Sequence, residues 1–570
     1  MPTKPHTKIP QVPKILNKLE EYSDSPWVID TETNGLKVIG PESQHTAHWV
    51  GFMPAVEGEE PFAVTIGVFN KFLRPLFENL ALIGHNIRFD LHALNLEPIR
   101  PIWDTMGYTY IHNTTALKSL DALAELRGWD KIKTPPEIKA GKISSLDSAK
   151  VREYLIDDVI ITFKLYLEQR KQKSRVFPTF IKDMNLERAL ARIQARGVRL
   201  LTDKMSMVTR EARRSLGVVT KELELMGFRG NLGSSKQLAA WLTENGRVLP
   251  RTEKGNPSTS REVIQDFADK GDTFAARLLD HRKISKLIQG FLVPLPQLAR
   301  RNSYDDYFYL YPEINSTRTA TGRFSYSNPN LQQIPKGRQS TIGKKIRQCL
   351  THEGGVSVAD YRQIELRIAA ALSGEPVLLE AFGSGRDPHT ETAAKVFGKE
   401  LDKVSDIERH AAKTVNFGIL FGAGPNRLAI ELGVSIQEAR QVFHDWKTGL
   451  SCMSNWCEET WASTEASRVA QTVGGRTRIF GPGENARAGL SVVVQGTAAE
   501  LMRQALLDAE IAGLDPILTV HDEIILKGRG KAQELSESMQ KSAEKAFPDR
   551  LGSVNFPVDG SDGPSWGEIE

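Results

Sequence analysis

The stretch VSVADYRQIELRIAAALS, residues 356–373, predicts a short apolar strand that ends at Asp360 and is followed directly by a helix. A second segment, TVHDEIIL, is typical of an apolar hairpin with Asp522 and Glu523 at its turn. A carboxylate at the end of a rigid strand suits a metal site. Because Asp360 and Asp522 lie far apart in the sequence, only the tertiary fold can bring these two carboxylates together.

A basic helix is predicted between these segments, at RHAAKTVNFGILFG. Arg409, Lys413, Asn416 and Phe417 recur at helical spacing, close to one face. Two cations one turn apart repel each other slightly unless an anion lies against them. The flat ring of Phe417 offers a surface for a base or a sugar. A nucleoside triphosphate would satisfy both features, whereas the helix in isolation is equally consistent with a solvated basic face and a core phenylalanine.

A separate set of carboxylates lies in the N-terminal third. Asp30 and Glu32 stand two apart on a predicted strand and therefore point to the same side. Asp90 ends the segment GHNIRFD, and Tyr154 and Asp158 lie four apart on one face of a predicted helix. Carboxylate oxygens are the ligands of hard divalent cations, and two such ions about 4 Å apart can promote phosphodiester hydrolysis. Since clustered carboxylates repel one another, the set predicts a metal site.

Length and composition set wider bounds. The 570 residues are enough for about three to five domains, and 40% hydrophobic with 25% charged residues is typical of a soluble globular protein. A net charge of +4 does not by itself indicate nucleic acid. Residues 231–301, with 12 Lys/Arg against 7 Asp/Glu, are consistent with a solvated helical face or a surface that follows phosphates. Three cysteines and no apolar stretch of membrane-spanning length predict a cytoplasmic protein, in the host cytoplasm if viral.

The ordered set DTET, NIRFD and YLIDD resembles the three motifs of DnaQ-like 3′→5′ exonucleases of the ribonuclease H fold, over roughly residues 25–170. The resemblance implies that two metal ions are held by Asp30, Glu32, Asp90 and Asp158. It also implies that Tyr154 positions the attacking water, and that Leu36 and Asn86 contact the terminal nucleotide. All acidic positions of the pattern are filled, which predicts an active nuclease.

DYRQIELR, RHAAKTVNFGILFG and VHDE resemble motifs A, B and C of family A DNA polymerases, and TATGRFSYSNPNLQQIP, DPHTETAAKVFG and QGTAAELMR extend the resemblance over essentially the whole chain. The implied fold is an α/β and α+β multidomain one, with a ribonuclease H-like exonuclease domain followed by a right-hand polymerase that has an antiparallel palm sheet and a helical thumb and fingers. The implied bounds are 1–172 for the exonuclease domain, 173–310 for the palm entry and thumb, 311–374 for the palm with motif A, 375–480 for the fingers, and 481–570 for the palm with motif C and the C-terminus.

The same resemblance assigns roles to individual residues. It implies two Mg²⁺ ions per active site, with Mn²⁺ as an alternative, held in the polymerase by Asp360, Asp522 and the backbone carbonyl of Tyr361, with Glu523 as an accessory residue. Lys413 would also donate a proton to the leaving pyrophosphate, and Glu365 would act as the steric gate against a ribose. The implied nucleotide contacts are Arg409, Lys413, Phe417, Glu365, His389, Phe421 and Tyr361. The implied DNA contacts are Arg323, Asn330, Gln332, Arg487, Gln495 and His521.

Two positions depart from the family pattern. Phe421 stands where a tyrosine is usual, which removes a hydroxyl near Glu365, and Ser491 stands where bacterial members have asparagine. The expected partners are primer–template DNA, deoxynucleoside triphosphates and, in the exonuclease site, a single-stranded 3′ end. We expect a monomer without a membrane association. We also expect no 5′-nuclease domain, and a modest processivity because residues 231–301 leave no room for a long thumb insertion.

Three alternatives remain at this point. A single-subunit RNA polymerase shares motifs A, B and C, but Glu365 and the complete exonuclease set argue against it. A nuclease whose C-terminal half only binds DNA would require Asp360 or Asp522 to be idle. A non-enzymatic nucleic-acid-binding module is disfavoured by the two complete sets of carboxylates.

Overall fold

The computed structural model describes residues 12–35, 47–140, 142–172, 174–302 and 304–569. Within them, the strands are β1 (Trp27–Thr33), β2 (Ala47–Pro54), β3 (Phe62–Thr65), β4 (Leu82–Gly84), β5 (Ile102–Asp104), β6 (Val198–Leu200), β7 (Arg300–Arg301), β8 (Phe308–Leu310), β9 (Glu313–Asn315), β10 (Ser325–Ser327), β11 (Leu350–Thr351), β12 (Val356–Tyr361), β13 (Val469–Gln471), β14 (Thr477–Ile479), β15 (Pro516–Val520), β16 (Glu523–Lys527) and β17 (Val558–Gly563).

The α-helices of the same residues are α1 (Val12–Glu21), α2 (Ile66–Val68), α3 (Arg74–Phe77), α4 (Ile87–Leu94), α5 (Thr105–His112), α6 (Leu120–Glu125), α7 (Pro136–Lys139), α8 (Ser148–Arg170), α9 (Phe177–Arg196), α10 (Thr202–Leu225), α11 (Ser235–Glu244), α12 (Arg261–Asp269), α13 (Thr273–Leu287), α14 (Pro294–Leu298), α15 (Thr341–Arg347), α16 (Ile364–Ser373), α17 (Pro376–Gly383), α18 (Pro388–Phe397), α19 (Asp406–Leu420), α20 (Pro425–Leu432), α21 (Ile436–Gly449), α22 (Ser451–Ser467), α23 (Ala488–Ile511), α24 (Ala532–Ala546) and α25 (Pro548–Leu551).

The chain divides into two compact units. The first comprises Met1–Gly197, Tyr311–Gln332 and Ser357–Asp562, and the second comprises Val198–Leu310, Gln333–Val356 and Gly563–Glu570. Both of the predicted carboxylate sets belong to the first unit.

The N-terminal part of the first unit is built on a five-stranded mixed sheet of order β3-β2-β1-β4-β5, in which β1 pairs with β2 antiparallel and with β4 parallel. Asp30 of β1 pairs with Gly51 of β2. A Cβ atom at Gly51 would lie 2.7 Å from Leu155 Cγ of α8, so only glycine allows α8 to pack this closely on β1 and β2. That close packing brings one face of α8 against the carboxylates of β1.

The palm-like part of the same unit is a four-stranded sheet of order β15-β16-β12-β17. Strands β15 and β16 form an antiparallel hairpin in which Val520 pairs with Glu523, so His521 and Asp522 make a two-residue turn. His521 has a φ of 58°, a left-handed conformation that costs a non-glycine residue about 1 kcal/mol. The strand, turn and helix predicted around Asp360 and Asp522 are therefore confirmed.

Helices between β12 and β13 pack on one another through a buried asparagine of α19. The Asn416 side chain donates to Thr392 Oγ1 of α18 at 3.0 Å and accepts from Trp446 Nε1 of α21 at 2.8 Å. The start of α19 carries a capping box, in which Ser405 and Glu408 each satisfy the other's backbone N–H. Asn416 thus faces the protein interior rather than the same surface as the cations of α19.

The second unit combines an antiparallel sheet of order β11-β6-β8-β7 with the helices α10 to α15. Its helices share a core that includes Leu223, Phe228, Leu238 and Leu278. Ser234 caps α11, as its spacing predicts, by accepting a hydrogen bond from the backbone of Gln237.

Nowhere in the described residues is a helix long and apolar enough to span a membrane.

Candidate active sites

The N-terminal carboxylates converge on one point of the first unit. Asp30 and Glu32 of β1 and Asp158 of α8 each place a carboxylate oxygen within 4.8 Å of the others. Asp90 of α4 lies beside them, where its Oδ1 accepts a 2.7 Å hydrogen bond from the Thr31 hydroxyl. Three of the four acidic residues predicted to lie together thus form one cluster, and Asp90 lies next to it.

Burial strongly disfavours the charged form of these carboxylates. It raises the pKa of Asp30 well above its ordinary value, and the neighbouring carboxylates of Asp90 and Asp158 add to the effect. For the same reasons the pKa of Glu32 rises to about 8, and burial raises that of Asp90 to about 8. A donor set made only of carboxylate oxygens is the one that a hard divalent cation prefers, and such a cation would relieve their repulsion. The cluster therefore fits a divalent metal ion.

A lysine that the sequence analysis did not single out supplies positive charge to this cluster. Lys131 Nζ lies 2.7 Å from Asp158 Oδ1 and 2.8 Å from Asp121 Oδ1, and its side chain is only 4% exposed. Burial raises the pKa of Asp158 to about 6, with Lys131 limiting the rise. Lys131 lies in an irregular loop between α6 and α7, so no strand or helix period in the sequence could have indicated its position.

Tyr154 lies one turn before Asp158 on α8 and is buried. Its hydroxyl is 3.0 Å from Thr134 Oγ1, and the Lys131 ammonium lies 4.8 Å from its ring centroid. Burial, with the nearby Asp158 carboxylate, raises the pKa of Tyr154 far above its ordinary value, so the phenol stays protonated. Tyr154 and Asp158 of the carboxylate cluster therefore share one face of α8, as the spacing predicts.

Two further residues were expected to contact a terminal nucleotide. Asn86 precedes α4 in a left-handed conformation with a φ of 66°, and its backbone N–H donates to Asp104 Oδ1 at 2.8 Å. Leu36 lies outside the described residues.

The C-terminal carboxylates are brought together by backbone pairing of neighbouring strands. The backbone N–H of Tyr361 donates to the carbonyl oxygen of Asp522 at 3.2 Å, which places Asp360 of β12 next to the β15–β16 turn. Asp360 and Asp522 are half-buried, whereas Glu523 is buried in β16. The phenol of Tyr361 donates to the backbone carbonyl of Met539, so this side chain anchors the strand. The group of Tyr361 that the resemblance implies near a metal is its backbone carbonyl.

A small pocket opens beside Asp522, lined in part by Arg323, Gln332 and His521. Gln332 donates to the backbone carbonyl of Thr519 at 3.3 Å. Three of the six residues expected to contact DNA therefore line one pocket with Asp522. Asn330 is half-buried two residues before Gln332 and is not among the residues that line this pocket.

Arg323 forms an ion pair with Glu365, the residue implied as the steric gate. Burial raises the pKa of Glu365, although Arg323 acts in the opposite direction. In this structure the Glu365 carboxylate is therefore paired with Arg323.

The residues expected to contact the triphosphate lie on α18 and α19. Arg409 makes a two-pronged ion pair with Asp387, at 2.9 Å from Nε and 3.0 Å from Nη2, and Asp387 also caps α18. Lys413, one turn along α19, is exposed. His389 is buried, which lowers its pKa to about 4 and keeps the imidazole neutral.

The aromatic residues of α19 form a short stack. Phe417 lies with its ring centroid 5.9 Å from that of His389 and 6.0 Å from that of Phe421, and the two phenylalanine rings are stacked. His389, Phe417 and Phe421 are therefore brought together as the resemblance implies.

The remaining expected DNA contacts belong to α23 and its N-terminus. Gln495 and Ser491 are half-buried one turn apart on α23. Arg487 precedes the helix, with its guanidinium carbon 5.2 Å from the ring centroid of Trp461.

Comparison with known proteins matches these two regions separately. A family model described as DNA polymerase family A matches residues 202–568, and one described as 3′-5′ exonuclease matches residues 7–172. DNA polymerase I of Pseudomonas aeruginosa is 30% identical over 499 residues, which cover 80% of this chain and 54% of that protein. DNA polymerase I of Borreliella burgdorferi is 27% identical over 576 residues, covering 95% of this chain and 62% of that protein.

Thermostable DNA polymerase I of Thermus caldophilus is 34% identical over 384 residues, which are 64% of this chain and 45% of that protein. The chain thus spans about half the length of the curated relatives it matches. Among solved structures, the POL domain of Pol1 from M. smegmatis in complex with DNA primer-template and dNTP has a TM-score of 0.81 and 22% identity, and the match covers 97% of both chains. This likeness confirms the expected fold class.

Proposed function

Because the chain belongs to DNA polymerase family A, we propose that it extends a DNA primer on a template and removes nucleotides from a 3′ end with its exonuclease region. The observation that carries the polymerase activity is the hydrogen bond from Tyr361 N–H to Asp522 O, which joins the two strands that bear Asp360 and Asp522. The observation that carries the nuclease is the convergence of Asp30, Glu32 and Asp158.

We propose divalent cations, Mg²⁺ or Mn²⁺, as the cofactors, two at each active site. Asp360, Asp522 and the carbonyl of Tyr361 would hold them in the polymerase, with Glu523 as an accessory residue, and Asp30, Glu32, Asp90 and Asp158 in the exonuclease. Bound cations lower the pKa of the attacking hydroxyl and stabilise the leaving oxygen.

The polymerase residues would then bind and orient the nucleotide. Lys413 and Arg409 would present their positive charges to the triphosphate, and Lys413 would donate a proton to the departing pyrophosphate. Arg409 must exchange Asp387 for phosphate oxygens to do so, which makes nucleotide binding a replacement of one ion pair by another. Phe417 would pack against the sugar, and buried Glu365 would exclude a 2′-hydroxyl.

We propose the DNA contacts from the positions of the residues around Asp522 and on α23. Arg323, Gln332 and His521 line the pocket beside Asp522, where a primer terminus would meet the site. Asn330, Arg487 and Gln495 would extend the contacts along the duplex. Because minor-groove acceptors are shared by all correct base pairs, such contacts test geometry without reading sequence. The domain bounds expected from the sequence, the monomeric state and the cytoplasmic location stay predictions.

A primer-extension gel tests both activities in one assay. With Mg²⁺, a primed template and all four deoxynucleotides, we expect longer products, and without nucleotides we expect shortening of the primer. A single-stranded oligonucleotide should be shortened under both conditions. Absence of extension by the wild-type chain would refute the polymerase.

The RNA polymerase alternative is tested in the same gel. Ribonucleotides in place of deoxynucleotides should extend the primer poorly, since the buried Glu365 carboxylate would crowd a 2′-hydroxyl. Extension at equal rates with both substrates would contradict the assignment of Glu365 as a steric gate.

A further inference from the structure

Two hydroxyl groups of the exonuclease region bind the backbone of a loop in the polymerase region. The loop, residues 316–323, lies between β9 and β10 and belongs to the same compact unit as the exonuclease region. The phenol of Tyr110 in α5 donates to the carbonyl oxygen of Thr319 at 2.6 Å. The hydroxyl of Thr114, which follows α5, donates to the carbonyl oxygen of Ala320 at 2.8 Å. Because a carbonyl oxygen can only accept, the direction of both hydrogen bonds is fixed.

Both donors are buried. Tyr110 is 1% exposed and Thr114 is 3% exposed, so water competes weakly for either hydrogen bond. The 316–323 loop, all of which is described, is irregular in structure. Backbone carbonyls outside helices and strands need partners from elsewhere in the molecule. The two hydroxyls therefore constrain the path of this loop.

A buried arginine of the polymerase region binds the same loop. Arg503 of α23 donates from Nε to the carbonyl oxygen of Gly322 at 3.0 Å, and from Nη2 to the carbonyl oxygen of Ser316. Its Nη1 donates to Asp183 Oδ1 at 3.1 Å, which fixes the orientation of the guanidinium. Four carbonyls of the 316–323 loop thus accept hydrogen bonds from side chains, two from the exonuclease region and two from Arg503.

The loop ends at Arg323, which pairs with Glu365 and lines the pocket beside Asp522. Thr319, whose carbonyl oxygen binds Tyr110, also donates through its own hydroxyl to the carbonyl oxygen of Arg323 at 2.7 Å. Hydrogen bonds therefore connect Tyr110 through Thr319 to the backbone of Arg323. A displacement of the loop at Thr319 would move the Arg323 guanidinium relative to Asp522.

We propose that Tyr110 and Thr114 are positioning residues of the polymerase site, which hold Arg323 in place through the 316–323 loop. The inference rests on the proposed polymerase function and extends it, because part of the polymerase geometry is then set by side chains within the residues that match the exonuclease family model. Each hydroxyl acts through the loop backbone. A functional side chain has to be held within about 0.5 Å of its productive position, so loss of these hydroxyls lowers the rate of nucleotide incorporation.

The double variant Tyr110→Phe with Thr114→Val removes both hydroxyls and keeps the shapes of the side chains. We expect the rate at which it adds a single deoxynucleotide to a primed template, measured by rapid mixing, to fall about 10- to 100-fold. The KM for the deoxynucleotide should change less, because the cations proposed to bind the triphosphate lie on α19. Each single variant should lose about threefold to tenfold. Thr114→Ser, which keeps the hydroxyl, should retain the wild-type rate.

Thr115→Val is the matched control, because it removes a hydroxyl from the same segment. The Thr115 hydroxyl lies 2.9 Å from Asn113 Oδ1 and 3.2 Å from the carbonyl oxygen of Ile479, and both of these acceptors lie outside the 316–323 loop. This variant should incorporate nucleotides at the wild-type rate. A loss equal to that of Thr114→Val would mean that any weakening of this segment lowers the rate, and the inference would be wrong.

Hydrolysis of a single-stranded oligonucleotide should be unchanged in every variant, which reports that the chain is folded. If the double variant also loses hydrolysis, the two single variants and Thr114→Ser decide the question by the same comparison.

A mutant cycle with Arg323 decides whether the two hydroxyls act through this arginine. In an Arg323→Ala background, Tyr110→Phe with Thr114→Val should cause no further loss of incorporation rate. A further loss as large as in the wild-type background would overturn the inference. If the unmodified chain does not extend a primer at all, the proposed polymerase function fails and the inference fails with it. A wild type that extends primers, together with equally active Tyr110 and Thr114 variants, refutes only the inference.

Discussion

The exonuclease cluster and the polymerase carboxylates differ in the source of their balancing positive charge. In the exonuclease region, Lys131 is buried between Asp121 and Asp158. In the polymerase, Asp360 and Asp522 are half-buried at the ends of neighbouring strands, and the expected cations stand on a separate helix. One of these, Arg409, is engaged by Asp387. The N-terminal carboxylate cluster thus contains a buried balancing cation, whereas the proposed polymerase site would draw its cations from a separate helix.

The largest expected effect separates the two sites completely. Asp360→Ala should reduce primer extension by about 1000-fold or more, because several kcal/mol of transition-state stabilisation disappear with a metal ligand. Degradation of single strands should persist. The double variant Asp30→Ala with Glu32→Ala should show the opposite pattern, measured in the same gels.

Asp549→Ala, which removes an exposed carboxylate of α25, is the matched control and should retain both activities. Loss of both activities in Asp360→Ala would mean that the two sites are not independent.

A smaller effect is expected at the ion pair of the polymerase site. Arg409→Lys keeps the charge but loses the planar fork, so we expect the KM for deoxynucleotides to rise about tenfold. The turnover number should change less than KM. Arg440→Lys on the exposed face of α21 is the control. A KM equal to that of the wild type would show that Arg409 remains on Asp387 when the nucleotide is bound.

The stability of the exonuclease region should depend on pH in the absence of metal. Burial raises the pKa of Glu32 to about 8, so the folded state binds its proton more tightly than the unfolded state does. This contribution to stability is complete below about pH 4.5 and is lost as the pH rises towards 8. In EDTA we expect the unfolding temperature to fall by a few degrees between pH 5 and pH 8.

Added Mg²⁺ should reverse that fall at pH 8, because the cation stabilises the charged carboxylates. Glu32→Gln should flatten the pH dependence measured by calorimetry, whereas Glu57→Gln, at an exposed position, should not. An unfolding temperature that rises from pH 5 to pH 8 in EDTA would contradict the raised pKa.

The smallest effect concerns the departure at Phe421. Phe421→Tyr adds the hydroxyl that the family resemblance implies lies near Glu365, and Glu365 is paired with Arg323 in this structure. One added hydrogen bond contributes about 1 kcal/mol, so we expect discrimination against ribonucleotides to increase about threefold to fivefold. Competition between deoxynucleotides and ribonucleotides in primer extension measures it. A decrease would indicate that the new hydroxyl displaces Arg323 without fixing the carboxylate.

Prediction from the sequence was most complete where the controlling geometry is local. Asp30 with Glu32, and Tyr154 with Asp158, share faces because strand and helix periods place residues two and four apart on one side. The same reasoning was less complete for α19, where Asn416 follows the helical spacing but is drawn into the core by Thr392 and Trp446. The helical period predicts the direction in which each side chain points around the helix axis. It does not predict how much of the helix surface is buried, because that depends on the neighbouring helices.

The sequence alone determined the types of chemistry that this chain can carry, namely two carboxylate sets, a cationic helix and the elements that bear them. Only the tertiary structure decided that Lys131 lies between Asp121 and Asp158, that Asp387 holds Arg409, and that Tyr361 joins Asp522. These contacts join segments that are separate in the sequence and, for Lys131, lie in an irregular loop. Periodicity describes neighbours along one element, whereas such contacts arise from the packing of different elements against each other.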